Sequence, residues 1–224
     1  MTQIMHWLFY AVDLAQDNLR DFMVWNSFLA FIPLVLSVWL FRGRGRRSWG
    51  WWLGAATWLA FLPNAPYVLT DLIHLVKDIR QVHSIWLITL VLVPQYLLFM
   101  GFGFQAYVVS LMNLGHYLRR QGADRWVWPT ELVLHGLTAI GIYLGRFPRF
   151  NSWDILTRPD ALVTGVLQDL LNRRPLLITA LTFAILVLLY SLTQAVNTGL
   201  WLYTQHWLKT RSSRSPSLRD SLVP

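Results

Sequence analysis

The chain has 224 residues, of which 55% are hydrophobic and 13% charged, against about 25% charged in soluble domains, and its formal net charge is +8. The apolar residues fall in long blocks and the arginines fall between and after them, so the positive charge reads as membrane topology and no nucleic acid is expected as a partner. There is no cysteine, which excludes disulfides and Cys-ligated metals. The expectation is an all-α integral membrane helical bundle forming one domain over residues 1–208. It has about five transmembrane helices plus one or two short interfacial ones, with the lipid bilayer as its surroundings.

Residues 4–15 are apolar but too short to cross a bilayer, and read as an interfacial helix. Asp13, Asp17 and Asp21, without an early positive charge, do not read as a cleaved signal peptide. The first span is expected over residues 22–41 and ends at the run Arg42-Gly-Arg-Gly-Arg-Arg47. Trp39 flanks that run on one side, and Trp49, Trp51 and Trp52 on the other, the pattern of a cytoplasmic interface.

The second span covers residues 49–69, with Gly50 and Gly54 spaced to seat a neighbouring helix. Its uninterrupted apolar run stops at Leu62, too short to cross, so the helix must continue through Pro63 and Pro66. Each proline lacks an amide hydrogen, which deprives the carbonyls of Leu59 and Leu62 of donors four residues on. Asn64 is expected to supply one of them, and the break should face protein or a wet cavity.

Beyond the break, residues 67–79 resume a helix that carries Asp71, His74 and Asp78 on one face. The third span is expected over residues 85–111, kinked by Pro94, and the fourth over 127–144 with Glu131 and His135 one turn apart. Residues 146–175 form a polar connection; Thr157–Asp160 resembles a capping box there. The apolar stripe of Ala161, Leu162, Val166, Leu170 and Leu171 predicts a surface-lying helix after it. The fifth span covers residues 176–197, and residues 209–224 read as a disordered cytoplasmic tail. With the Arg42–Arg47 run inside, the amino end lies outside and the carboxyl end inside. Lys and Arg then number 11 inside and 8 outside. The outer excess sits largely in Arg146, Arg149, Arg158, Arg173 and Arg174.

That topology puts the proline-broken helix and the stretch R-F-P-R-F-N-S-W-D at 146–154 on one side of the membrane. An outward-facing polar pocket is predicted from Asn64, Tyr67, Thr70, Asp71, His74, Arg146, Arg149, Asn151 and Asp154, with Asp71 paired to Arg146 or Arg149. Glu131 and His135, with His116, could relay protons within the bundle; alternatively Glu131 simply reaches the cytoplasmic interface. Asp71, His74, Asp78 and His83 match no known ligand motif, so no metal is assigned. There is neither a phosphate-binding glycine loop nor a G-x-S-x-G elbow, and no cofactor is assigned either.

F-L-P-N-A-P-Y-V-L-T-D-L-I-H-L at 61–75, G-I-Y-L-G-R-F-P-R-F-N-S-W-D at 141–154 and W-N-S-F-L-A-F-I-P-L-V-L-S at 25–37 resemble the uncharacterised bacterial membrane family called domain of unknown function 1361. The resemblance runs over about residues 22–205 and implies a bacterial multi-pass inner-membrane protein, without an activity or catalytic residue. From the residues, the first reading is binding or transport of a small anionic solute or a lipid headgroup at the outer pocket. The alternatives are a membrane-embedded enzyme acting on a lipid-linked substrate, with Asp71 or His74 as acid–base group, and a structural or assembly partner in the membrane. Oligomeric state is not readable.

Overall fold

A computed structural model of the protein describes the backbone of residues 2–43, 47–150, 157, 160, 164 and 172–213. The described residues are helical, turn or loop, with no strand among them. Five helical stretches are long and apolar enough to cross a membrane: Val24–Arg42, Trp49–Gln81, Ile85–Arg120, Asp124–Arg146 and Arg173–Thr210. The all-α membrane architecture follows from that, as do large apolar side chains left bare, such as Leu53, Phe102 and Leu181, which only lipid tolerates in such numbers.

The elements in order are α1 (Thr2–Asn18), α2 (Val24–Ser37), α3 (Trp49–Phe61), α4 (Asn64–Tyr67), α5 (Leu72–Gln81), α6 (Ile85–Leu87), α7 (Val93–Arg120), α8 (Val127–Arg146) and α9 (Arg173–Ser213). Contacts divide the chain into two compact units, Met1–Val187 and Leu188–Pro224. In the first unit α2 packs on α3, α4 and α7, and α7 packs on α4 and α8. The proline-broken segment therefore sits in the core, and Leu62, Ala65 and Val68 are wholly buried.

Most spans run past their expected ends. The predicted interfacial helix is not separate: α1 passes into α2 through a π turn at Leu19–Met23, where Val24 N–H bonds the Leu19 carbonyl five residues back. Pro94 is absorbed in the same way. A π turn at Ile88–Leu92 precedes it, and Val93 N–H reaches Ile88 O, so the wider ladder takes in a residue that has no donor. The second span does not stop at residue 69 but stays helical to Gln81. The fifth continues through Ser213, so residues 209–213 of the expected tail are helical. The capping box and apolar stripe of residues 157–171 lie outside the described residues, apart from Thr157, Asp160 and Thr164, which are helical.

The arginine-rich end is locked into the bundle rather than only solvated. Arg42 Nε donates to Asn113 Oδ1 at 2.8 Å, and Asn113 Nδ2 donates to Ser37 Oγ at 2.9 Å. Arg47 Nε donates to the Tyr117 hydroxyl at 2.8 Å and lies over the Trp51 and Tyr117 rings, while Arg120 caps the Phe41 carbonyl. Gly54 meets the ring of Trp39, in a π turn at Val38–Arg42, so closely that no room is left for a Cβ. Gly50 has no such neighbour, so only one of the two expected glycines seats a helix.

Candidate functional site

The chain repairs its proline break locally. α3 ends at Phe61, α4 is a single turn, and a 3-10 turn at Val68–Asp71 follows. Ala65 N–H donates to Leu62 O at 3.3 Å, an i to i+3 contact that replaces the bond Pro66 cannot make. Asn64 Nδ2 donates to Phe61 O at 3.2 Å, not to either carbonyl expected from the sequence, because the tightened turn already serves Leu62. Thr70 Oγ1 likewise donates to the Tyr67 carbonyl at 2.7 Å.

The tightened turn aims Asp71 inward, where it is 2% exposed. Asn26 Nδ2 of α2 donates to Asp71 Oδ2 at 2.8 Å. On the other oxygen, Arg146 Nη1 from the end of α8 lies 3.7 Å away and His74 Nε2 3.9 Å away. A buried carboxylate without partners would cost several kcal/mol, so this three-sided cradle is what holds the charge inside. Between the two arginines considered as partners, the described contact is with Arg146. Arg149 is exposed with φ 61° in the turn where Phe150 N–H returns to Leu144 O, which carries its side chain off the helix face. Asn151 and Asp154 lie outside the described residues.

His74 stacks on Phe22 at 4.7 Å, and Asp78 accepts a 2.7 Å hydrogen bond from the Tyr96 hydroxyl. Asp71 and Asp78 thus have separate partners, and among the described residues no three of His, Asp and Glu come close enough to share a metal.

Beside this cluster lies a cavity of about 600 Å³ between α2, the α3–α4 break and α8. Asn26, Asn64 and Tyr67 form its polar end, and Leu29, Leu59, Ala60, Leu137, Ile140 and Leu144 form its apolar walls. Trp25, Leu59 and Leu137 are exposed at its rim, so it opens sideways through an apolar surface. Close helix contact shapes it: a Cβ on Gly141 would stand 2.6 Å from Pro63 Cγ, and one on Gly145 would stand 3.2 Å from Tyr67 Cε2. The G-I-Y-L-G spacing of 141–145 is the small-xxx-small signal for that approach.

Glu131 and His135 are both buried in the α7–α8 seam. The Tyr107 hydroxyl lies 2.7 Å from His135 Nδ1, and Glu131 Oε1 lies 3.5 Å from where a Cβ on Gly115 would stand. Glu131 therefore packs against α7 rather than extending to an exposed interface. His116 is not part of this group; one residue beyond Gly115, it turns outward, with Nδ1 2.7 Å from its own Met112 carbonyl.

The motif-bearing segments are also those that a family model recognises, with a match to residues 25–188. The chain belongs to the DUF1361 family of proteins of unknown function. No curated protein and no solved structure matches it. The match includes Asn26, Asp71, Arg146 and every residue lining the cavity, so in this DUF1361 protein the cluster and the cavity belong to the family region. Sequence reasoning missed Asn26 and Phe22. An amide within an apolar block, W-N-S-F-L-A-F, was the available signal for Asn26; Phe22 carried none.

Proposed function

We propose that this DUF1361 protein binds an anionic membrane lipid, with the headgroup at Asn26, Asn64 and Tyr67 and a chain along the apolar walls of the cavity. The observation that carries the reading is the cavity's layout, polar at the helix break, apolar beyond it and open through an apolar rim. Its volume of about 600 Å³ is within the range of ligand-sized pockets. Arg146 does not line the cavity itself; it follows the lining residue Gly145 and supplies positive charge from beside the polar end, where its contact with Asp71, at 3.7 Å, is longer than a charge-assisted hydrogen bond. A freely diffusing solute would gain nothing from an apolar sideways opening, so a lipid is favoured over the small anionic solute. The proposed setting is a bacterial cytoplasmic membrane, amino end outside and carboxyl end inside.

Native mass spectrometry of protein extracted in mild detergent tests this. One tightly retained lipid per protein is expected, lost in Ala60→Trp, which fills the cavity, and with less preference for phosphatidylglycerol over phosphatidylethanolamine in Arg146→Gln. Equal lipid retention by folded Ala60→Trp would sink the proposal. Orientation is read from a single cysteine at the exposed position 149, with 44 and 122 as inside controls, because the native chain has none to interfere.

A further inference from the structure

The polar end of the cavity has a fixed hydrogen-bonding sense at Asn26. A side-chain amide carries donors on Nδ2 and an acceptor on Oδ1, and the two diverge from one carbon. Which of them meets the cavity is decided by what holds the other. Asn26 Nδ2 donates to Asp71 Oδ2 at 2.8 Å, while Arg146 Nη1 and His74 Nε2 stand 3.7 and 3.9 Å from the other carboxylate oxygen. A carboxylate only accepts, so the reversed amide would set two oxygens face to face. Oδ1 is therefore the atom that Asn26 turns to the cavity it lines. It makes no hydrogen bond among the described residues, and it is not sealed inside the protein: Asn26 is half-buried, and its oxygen keeps open surface. Asn64, at the same end, likewise commits its Nδ2 to the protein, at the Phe61 carbonyl.

The depth of Asn26 suits a headgroup. It lies sixteen residues before Arg42, about 24 Å along the helix. With the arginine-rich end at one face of a hydrocarbon core about 30 Å thick, Asn26 comes near the other. An open acceptor there, on an amide polarised by a carboxylate behind it, calls for a donor. An ionised phosphate diester has none, and neither has an acyl ester; a headgroup hydroxyl has one. An ammonium also donates, but it would set a second cation beside Arg146. Resting on the lipid-binding reading above, we infer that Asn26 is a specificity-determining residue whose Oδ1 accepts a hydrogen bond from a headgroup hydroxyl. The ligand class is then an anionic phospholipid with a polyol headgroup, such as glycerol, rather than one whose phosphate ends in an alkyl group.

The test compares two probes by native mass spectrometry on the full chain: phosphatidylglycerol, and phosphatidylpropanol with the same acyl chains. The second has the same charge and nearly the same size but no headgroup hydroxyl. Wild type is expected to retain phosphatidylglycerol about fivefold to tenfold better, the size of one hydrogen bond. Asn26→Leu should abolish the preference. If that variant does not fold, Asn26→Leu/Asp71→Asn, which removes the buried charge along with its donor, gives the same reading. The exchanged pair Asn26→Asp/Asp71→Asn keeps an acceptor oxygen at position 26 and should keep the preference. Equal retention of both lipids by wild type would overturn the inference while leaving lipid binding intact. So would a preference that survives in the folded leucine variants or vanishes in the exchanged pair. If neither lipid is retained better by wild type than by Ala60→Trp, the lipid-binding reading fails and takes this inference with it.

Discussion

A methyl group on Gly141 would probe the packing that shapes the cavity. The added Cβ would stand 2.6 Å from Pro63 Cγ and 2.8 Å from its Cβ, about 0.8 Å short of ordinary contact for the closer atom. A change of ring pucker can move Pro63 Cγ but leaves its Cβ nearly in place, so α8 must move off the broken helix or the break must shift. Overpacking of this kind costs about 1–3 kcal/mol. Replacing a helical glycine by alanine also brings up to ~1 kcal/mol of helix propensity, which masks part of the loss. Gly136→Ala provides the correction, because Gly136 lies on the same helix with nothing within 4 Å of its built Cβ. Unfolding free energies in one detergent should therefore differ by about 1–3 kcal/mol between the two variants, with Gly141→Ala the weaker. Thermal midpoints should fall in the same order, and the retained lipid should dissociate more readily from Gly141→Ala. Equal stabilities would refute the reasoning, since they would mean that α8 does not rest on Pro63.

Exchanging the partners in the Asn26–Asp71 contact gives a second prediction. Asn26→Asp alone would place two carboxylates across a 2.8 Å contact and lower the yield of folded protein, whereas the double variant Asn26→Asp/Asp71→Asn should recover much of it; no recovery would argue against the contact. Asn26→Ala should destabilise by about 1.5–3 kcal/mol, the range for a hydrogen bond to a charged group, as measured by chemical unfolding. At the arginine-rich end, Asn113→Ala removes the bridge between Ser37 and Arg42 and should cost about 1–3 kcal/mol; an unchanged melting temperature would show that the bridge is not formed. Trp58→Phe deletes the 2.8 Å donation to Ser110 Oγ, which itself reaches the Pro33 carbonyl, and should cost about 1 kcal/mol in the same assay.

Much of this architecture was legible because lipid imposes simple rules. The apolar blocks had to be helices, and Pro63 and Pro66 had to break one of them. What the rules do not fix is which side chain satisfies which group. Asn64 was correctly read as a repair residue, but its target moved from Leu59 or Leu62 to Phe61 once a 3-10 turn had served Leu62. Asp71 was legible as a charge in need of a partner; its closest partner, Asn26, is 45 residues away and looked like one more residue of an apolar span. The π turns before Val24 and Val93 were not legible, since a single wide turn leaves no periodic trace in so apolar a segment.

The most direct test of the account is to find where a lipid chain sits. Protein reconstituted with phosphatidylglycerol bearing a diazirine partway along one chain would be irradiated, digested and mapped for adducts. Lipid bound as described should label Ala60 and the largely buried Leu144 in the cavity as well as outward-facing side chains such as Leu98, and Ala60→Trp should remove the Leu144 adduct while leaving the one at Leu98. Adducts confined to Leu98 and its outward neighbours, in wild type and variant alike, would contradict a lipid in the cavity.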